Sequence, residues 1–191
     1  MSKQNVLFWV GVNPPHEYYQ EKHGGFKYFE YSRNTWEYWC KKNDVIFFPY
    51  EWKDVSIKDN PRLFPATWTR WMDVFPLLRQ NNINFNKIAV IDASTMVKWD
   101  TPNFFDLAPD TGLTCWRSME NMRWIYEGVQ GYKDFFNGFE FDLKKYFMCG
   151  FQIFGEDHEE FLNELKMFFM KSKELIFELQ SDEKTYAVYP F

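Results

Sequence analysis

Apolar positions recur along the chain with two different periods, and their alternation predicts an α/β fold. Two short, nearly continuous apolar runs, Asn5-Val6-Leu7-Phe8-Trp9-Val10-Gly11-Val12-Asn13 and Lys87-Ile88-Ala89-Val90-Ile91-Asp92-Ala93-Ser94-Thr95-Met96-Val97, read as strands covered on both faces. Pro14-Pro15 ends the first, because proline cannot continue a ladder. A third run, Asp44 to Tyr50, completes a strand-helix-strand unit with the first, and a right-handed crossover places it parallel and adjacent. The intervening helix is predicted from Ser32 or Thr35 as N-cap through Lys42, with Asn43 as its stop. A second helix follows from the apolar spacing at Trp68, Trp71, Met72, Val74, Phe75 and Leu78, with Pro76 complicating its end.

The later chain repeats the pattern less regularly. Asn81-Asn82 reads as a turn, and Thr101-Pro102 as the start of a short helix. Residues 108–116 read as a loop, and Arg117 to Phe136 as a mixed helical segment interrupted by Gly128 and Gly131. Tyr146 to Phe154 is another apolar strand. Glu156 to Phe177 has helical apolar spacing with acidic residues first and lysines later, as the helix dipole favours. Lys184 to Phe191 is strand-like, whereas His16–Tyr31 and Glu51–Pro65 read as loops. The whole, residues 1–191, is expected to be one domain, whether or not the chain continues beyond Phe191.

Composition narrows the function. Aromatic residues make up 22% of the chain, with 22 Phe, 11 Tyr and 9 Trp, more than a core of this size hides, so some are expected in clefts, where rings stack on sugars and bases. The net charge of −5 argues against a duplex nucleic-acid partner, which needs a basic face. The three cysteines, Cys40, Cys115 and Cys149, are too scattered for a disulfide framework or a thiolate zinc site and suit a reducing compartment. No apolar run reaches the roughly 18 residues of a membrane span, and the expected location is the cytoplasm.

The candidate chemistry centres on Asp92, at the predicted carboxyl end of its strand, where ligands of open α/β sheets collect. Taken alone, Asp92 is explained equally well as a helix cap or a loop residue bonding backbone amides. Phosphate-loop and dinucleotide-loop motifs and a Ser-His-Asp constellation are absent from convincing contexts.

The order of a Val-Gly-Val-Asn strand end, a Thr-Trp-Thr-Arg-Trp helix, an Ile-Asp-Ala-Ser strand end, Trp-Asp-Thr-Pro-Asn-Phe-Phe and a Tyr-Phe-x-x-Gly-Phe strand resembles small GT-A fold glycosyltransferases. Those encoded by chlorella (algal) viruses and related phages are the most similar, over most of residues 5–160. The resemblance implies a Rossmann-type central mixed, mostly parallel β-sheet flanked by helices on both faces. It implies transfer of a sugar from a nucleotide-diphosphate donor, a UDP-sugar, to a glycan or glycoprotein acceptor, in the host cytoplasm if the chain is viral. In that fold an Asp-x-Asp motif holds Mn²⁺ or Mg²⁺ on the diphosphate, where the ion stabilises the leaving charge.

Here the motif maps to Asp92-Ala93-Ser94, in which a neutral hydroxyl replaces the second carboxylate and weakens the expected metal site. By resemblance, Asp92 contacts ribose and metal, Gly11, Val12 and Asn13 line the base and ribose pocket, and Arg70 stands near the diphosphate. His158 is the candidate late metal ligand beside Asp92 and Ser94. Asp100 and Asp142, with Asp134, are the candidate catalytic carboxylates. Each has a plainer reading: Arg70 as a surface ion pair, His158 as a surface residue, the three aspartates as caps or solvated groups. The alternative function is a catalytically weak or inactive carbohydrate- or nucleotide-binding domain of the same fold.

Overall fold

The computed structural model of the chain describes residues 3–12, 27–52, 66–117 and 146–181, with isolated positions between 118 and 145. Strands β1 (Gln4–Val12), β2 (Ile46–Trp52), β3 (Phe85–Asp92), β4 (Thr114–Arg117) and β5 (Phe147–Phe154) form one sheet in the order β2-β1-β3-β5-β4. Strand β1 pairs in parallel with β2 and β3, and β5 is antiparallel to β3 and β4, so only β5 runs against the rest. Helix α1 (Lys27–Lys42) lies on one face; α2 (Ala66–Met72), α3 (Val74–Gln80) and α4 (Glu159–Ser181) lie on the other. This is the mostly parallel, doubly covered α/β sheet expected from the sequence.

The near-continuous apolar character of β1 and β3 follows from that double covering. Val6, Phe8 and Val10 point to the α2–α4 side, where they pack with Trp71, Val74, Phe75, Leu78 and Leu162. Leu7 and Trp9 point to the α1 side, against Trp36, Trp39 and Cys40. Pro49 is tolerated in β2 because that strand is an edge, where one side of the ladder needs no donor.

Several elements depart from the sequence expectation. Helix α1 starts at Lys27, more than a turn before Ser32, which is buried within it instead of capping it. The helix expected over 67–79 breaks at Asp73, because Pro76 has no N–H to reach the Met72 carbonyl, four residues back. The short helix after β3 is a single 3-10 turn, Phe104–Asp106, capped by the Asn103 side chain on Phe105 N and not by Thr101. Thr114–Arg117, read as loop and helix start, is the edge strand β4. The turn at Asn81-Asn82 is present, with Asn82 in the left-handed region at φ 55°. The strand-like 184–191 segment and most of 117–136 lie outside the described residues.

Among the described residues, no helix is long and apolar enough to cross a membrane. The buried Lys87 is satisfied inside the α1-side layer: its Nζ donates to Phe105 O (3.4 Å) and Ala108 O (2.6 Å) and pairs with Asp110 (3.1 Å), tying the 3-10 turn to β3.

Candidate functional site

Parallel register fixes what meets at the carboxyl edge of the sheet. Val10 of β1 stands opposite both Tyr50 of β2 and Asp92 of β3, so these three residues form one row facing the α2–α4 side. The β1 strand continues two residues past this row, and Gly11 and Val12 overhang the end of β3. Gly11 is buried, and a Cβ there would meet the Trp9 indole edge, with Cη2 at 2.7 Å, so this strand end has no room for a side chain. The Val12 side chain and all of Asn13 lie outside the described residues.

Asp92 is held from two sides. Arg70 of α2, 5% exposed, directs Nη1 and Nη2 at Asp92 Oδ2, each 3.4 Å away. The Asp92 side chain keeps 37% of its surface exposed, so this is a buried cation behind a carboxylate open to solvent. The plain reading of Arg70 as a surface ion pair therefore does not describe it. On the other side, Thr95 folds back on the Asp92 carbonyl through both its N–H (2.9 Å) and its hydroxyl (2.6 Å), closing the turn Asp92-Ala93-Ser94-Thr95. Ala93 N donates to Val10 O (3.0 Å), extending the ladder past Asp92.

Helix α1 pins that turn. Trp36 Nε1 donates to the Thr95 carbonyl (3.1 Å), and the Ser32 hydroxyl donates to the same oxygen while accepting Trp9 Nε1 (3.0 Å). Thr35 Oγ1 in turn accepts Val97 N (3.4 Å). Ser32, Thr35 and Trp36 thus fix the loop after β3 from residues more than fifty positions earlier, a long-range set that no local pattern announces. Tyr28, in the first turn of α1, completes the edge: its phenol pKa is raised by partial burial and then by the negative charge of Asp92. In the row itself, on the other side of Val10 from Asp92, Tyr50 donates to Asp73 Oδ2 (3.1 Å), and its phenol is pushed well above its usual range by burial and by that carboxylate.

The remaining predicted site residues divide. Ala93 is buried under Asp92, and Ser94 is exposed at the tip of the turn, so both stay with Asp92. His158 does not. Strand β5 runs against β3, with Phe154 opposite Ile88, and Gly155 lies beside Asn86 O. His158 follows at the amino end of β3, roughly 20 Å from Asp92 at about 3.3 Å per residue. There Asp157 Oδ1 lies 3.1 Å from His158 Nδ1. The Asp100 loop is held by Lys42 on Trp99 O and by Trp39 on Thr101 O, toward the carboxyl end of α1. Trp39 and Lys42 lie about 5–15 Å along the helix axis from Trp36 and Ser32, which hold the Asp92 turn, and Asp100 pairs there with Lys98 (2.9 Å). Asp142 precedes the end of β5 on Asp92's side of the sheet; it is exposed and accepts Lys144 N (3.1 Å). Asp134 lies outside the described residues.

These positions test the fit of a divalent cation. Mn²⁺ and Mg²⁺ take about six oxygen ligands, with carboxylates dominant. The edge supplies one carboxylate, already paired with a guanidinium, and one exposed hydroxyl, and no group of three His, Cys, Asp or Glu side chains is assembled among the described residues. The described donors do not fit a resident cation.

No family model matches the chain, and no curated protein matches it. Its fold is similar to the crystal structure of a glycosyltransferase involved in the glycosylation of the major capsid of PBCV-1. The match has a TM-score of 0.51 and 9% identity, over 94% of this chain and 68% of that one. The two share an α/β architecture across nearly the whole of the present chain.

Proposed function

We propose that the chain is a glycosyltransferase that moves a sugar from a nucleotide-diphosphate donor, a UDP-sugar, to a glycan or glycoprotein acceptor in the cytoplasm. The observation that carries this reading is the carboxylate of Asp92, presented half-open at the carboxyl end of β3 beside the overhanging end of β1. In open α/β sheets this edge is where nucleotides bind, and a carboxylate there accepts the hydroxyls of a ribose or a sugar. The fold shared with the PBCV-1 glycosyltransferase supports the same assignment. In this reading the overhang of β1 forms the floor of the nucleoside site, and Tyr28 borders it.

A second reading is favoured by one specific observation. Asp100 is paired with Lys98 and Asp142 is engaged with its own turn, and neither contacts Asp92 or its partners among the described residues. A carbohydrate- or nucleotide-binding domain that does not turn over fits that arrangement. Calorimetric titration with UDP, GDP and CMP, followed by assay of UDP-sugar hydrolysis and transfer, separates the two. Nucleotide binding with turnover supports the enzyme, and binding without turnover supports the binding domain. Absence of binding by all three nucleotides sinks the enzyme reading and the nucleotide-binding form of the second.

A further inference from the structure

We infer that ligand binding at the Asp92 edge is independent of divalent cations, because the buried guanidinium of Arg70 supplies in the protein itself the positive charge that an Asp-x-Asp site takes from a metal. This rests on the proposed function, and it concerns what compensates charge at the same site. A carboxylate pair recruits a dication because two adjacent negative charges are unbalanced. Here the second acidic position is Ser94, and the one remaining carboxylate is balanced by Arg70 Nη1 and Nη2, each 3.4 Å from Oδ2.

The guanidinium is held in place by burial. Arg70 projects from α2, between Trp68 and Trp71, which are both buried in the core of that face. A guanidinium does not lose its proton in a protein, so its charge persists at every working pH. A dication approaching Asp92 meets this fixed positive charge at close range. By contrast, an anionic diphosphate arriving at the edge is attracted to the guanidinium behind the carboxylate. Among the described residues, Oδ1 of Asp92 has no partner, and with the side chain partly exposed it is left to accept a ligand hydroxyl. Arg70 is in these terms a positioning and charge-compensating residue, with Asp92 as the group that touches the ligand.

The test is calorimetric titration of the full chain with UDP, in Mn²⁺ and in EDTA, for the wild type, Arg70→Met and Arg70→Lys, with circular dichroism as the control for folding. The wild type is expected to bind UDP in EDTA within about threefold of its affinity in Mn²⁺. Arg70→Met, which leaves Asp92 uncompensated, is expected to bind at least roughly tenfold more weakly in EDTA and to be restored by Mn²⁺. Arg70→Lys, which keeps the charge, is expected to remain cation-independent. A merely structural Arg70 would give weakening that Mn²⁺ does not reverse, and that outcome overturns the inference. So does a wild type that loses about tenfold or more in EDTA, a result that needs no variant to fold. A folded wild type that binds no UDP in either condition defeats the functional reading itself.

Discussion

Ser32→Ala removes a single oxygen and tests whether the loop carrying Asp92 is held as described. Ser32 is 1% exposed and serves as acceptor for Trp9 Nε1 and as donor to Thr95 O. Alanine leaves the buried Trp9 N–H without its acceptor, at a cost of about 1–3 kcal/mol. The Thr95 carbonyl is not orphaned, since Trp36 Nε1 still donates to it at 3.1 Å, so loss of the second bond costs only about 0.5–1 kcal/mol. Alanine's better helix propensity in α1 returns roughly 0.5 kcal/mol. The net expectation is a destabilisation of about 1–3 kcal/mol, or a fall in Tm of roughly 3–10 °C for a chain of this length.

Urea unfolding followed by far-ultraviolet circular dichroism measures this directly, with an unchanged m-value showing that only stability has moved. In the double variant with Trp9→Phe, which carries the cost of a smaller ring in the core, the two losses should be less than additive by about 1 kcal/mol, because the unpaired N–H is then gone. A Ser32→Ala protein within about 0.5 kcal/mol of wild type would refute the hydrogen-bonded clamp.

Other consequences can be checked in the same preparations. Asp92→Ala should stay folded, at a cost of about 1–3 kcal/mol for the ion pair with buried Arg70 that it removes, reduced from the fully buried case because Asp92 is partly exposed, and it should abolish UDP binding in calorimetry. Gly11→Ala should destabilise by about 1–3 kcal/mol in urea titration, because the new methyl collides with the Trp9 ring. The Cys40 thiol, pushed up to about 12 by burial and then by Glu37, should resist Ellman's reagent at about pH 8 until the protein unfolds. Burial raises the Asp157 carboxyl, but the Gly112 N–H (2.9 Å) and His158 outweigh it and hold it below its usual range. Its stabilising contribution is therefore present above the ordinary aspartate pKa of about 4 and lost as pH falls through the lowered value. Asp157→Asn should flatten the acid limb of a stability–pH curve.

The fold was legible where burial writes itself into local order. Strands β1 and β3 are covered on both faces, so their apolar runs could be read directly, and the placing of Asp92 at a strand end followed from where the run stops. Strand β4 was not legible, because Thr114-Cys115-Trp116-Arg117 is four residues long, has a half-open edge and owes its existence to pairing with β5. The start of α1 was misplaced because Ser32, a good N-cap by type, is recruited instead by Trp9 and Thr95.

At the site, the proximity of Arg70 to Asp92 agrees with the order of motifs, but its burial behind the carboxylate depends on how α2 breaks at Asp73 and packs. His158 illustrates the reverse limit: sequence order brings it after β5, and only the antiparallel direction of that strand carries it to the opposite edge.

That direction of β5 has a consequence for how the chain is made. The β3 edge formed by Ile88, Ala89, Val90 and Ile91 finds its partner only in Phe151–Phe154, some sixty residues later, and β4 must wait for the same strand. On a ribosome the first three strands and their helices emerge while that edge is still unpaired. An apolar, unsatisfied strand edge is a template for joining another chain. Nascent molecules are therefore most vulnerable to misassembly after β3 is complete and before β5 inserts, and among the described strands the last one laid down is the one that joins β3 to the edge strand β4.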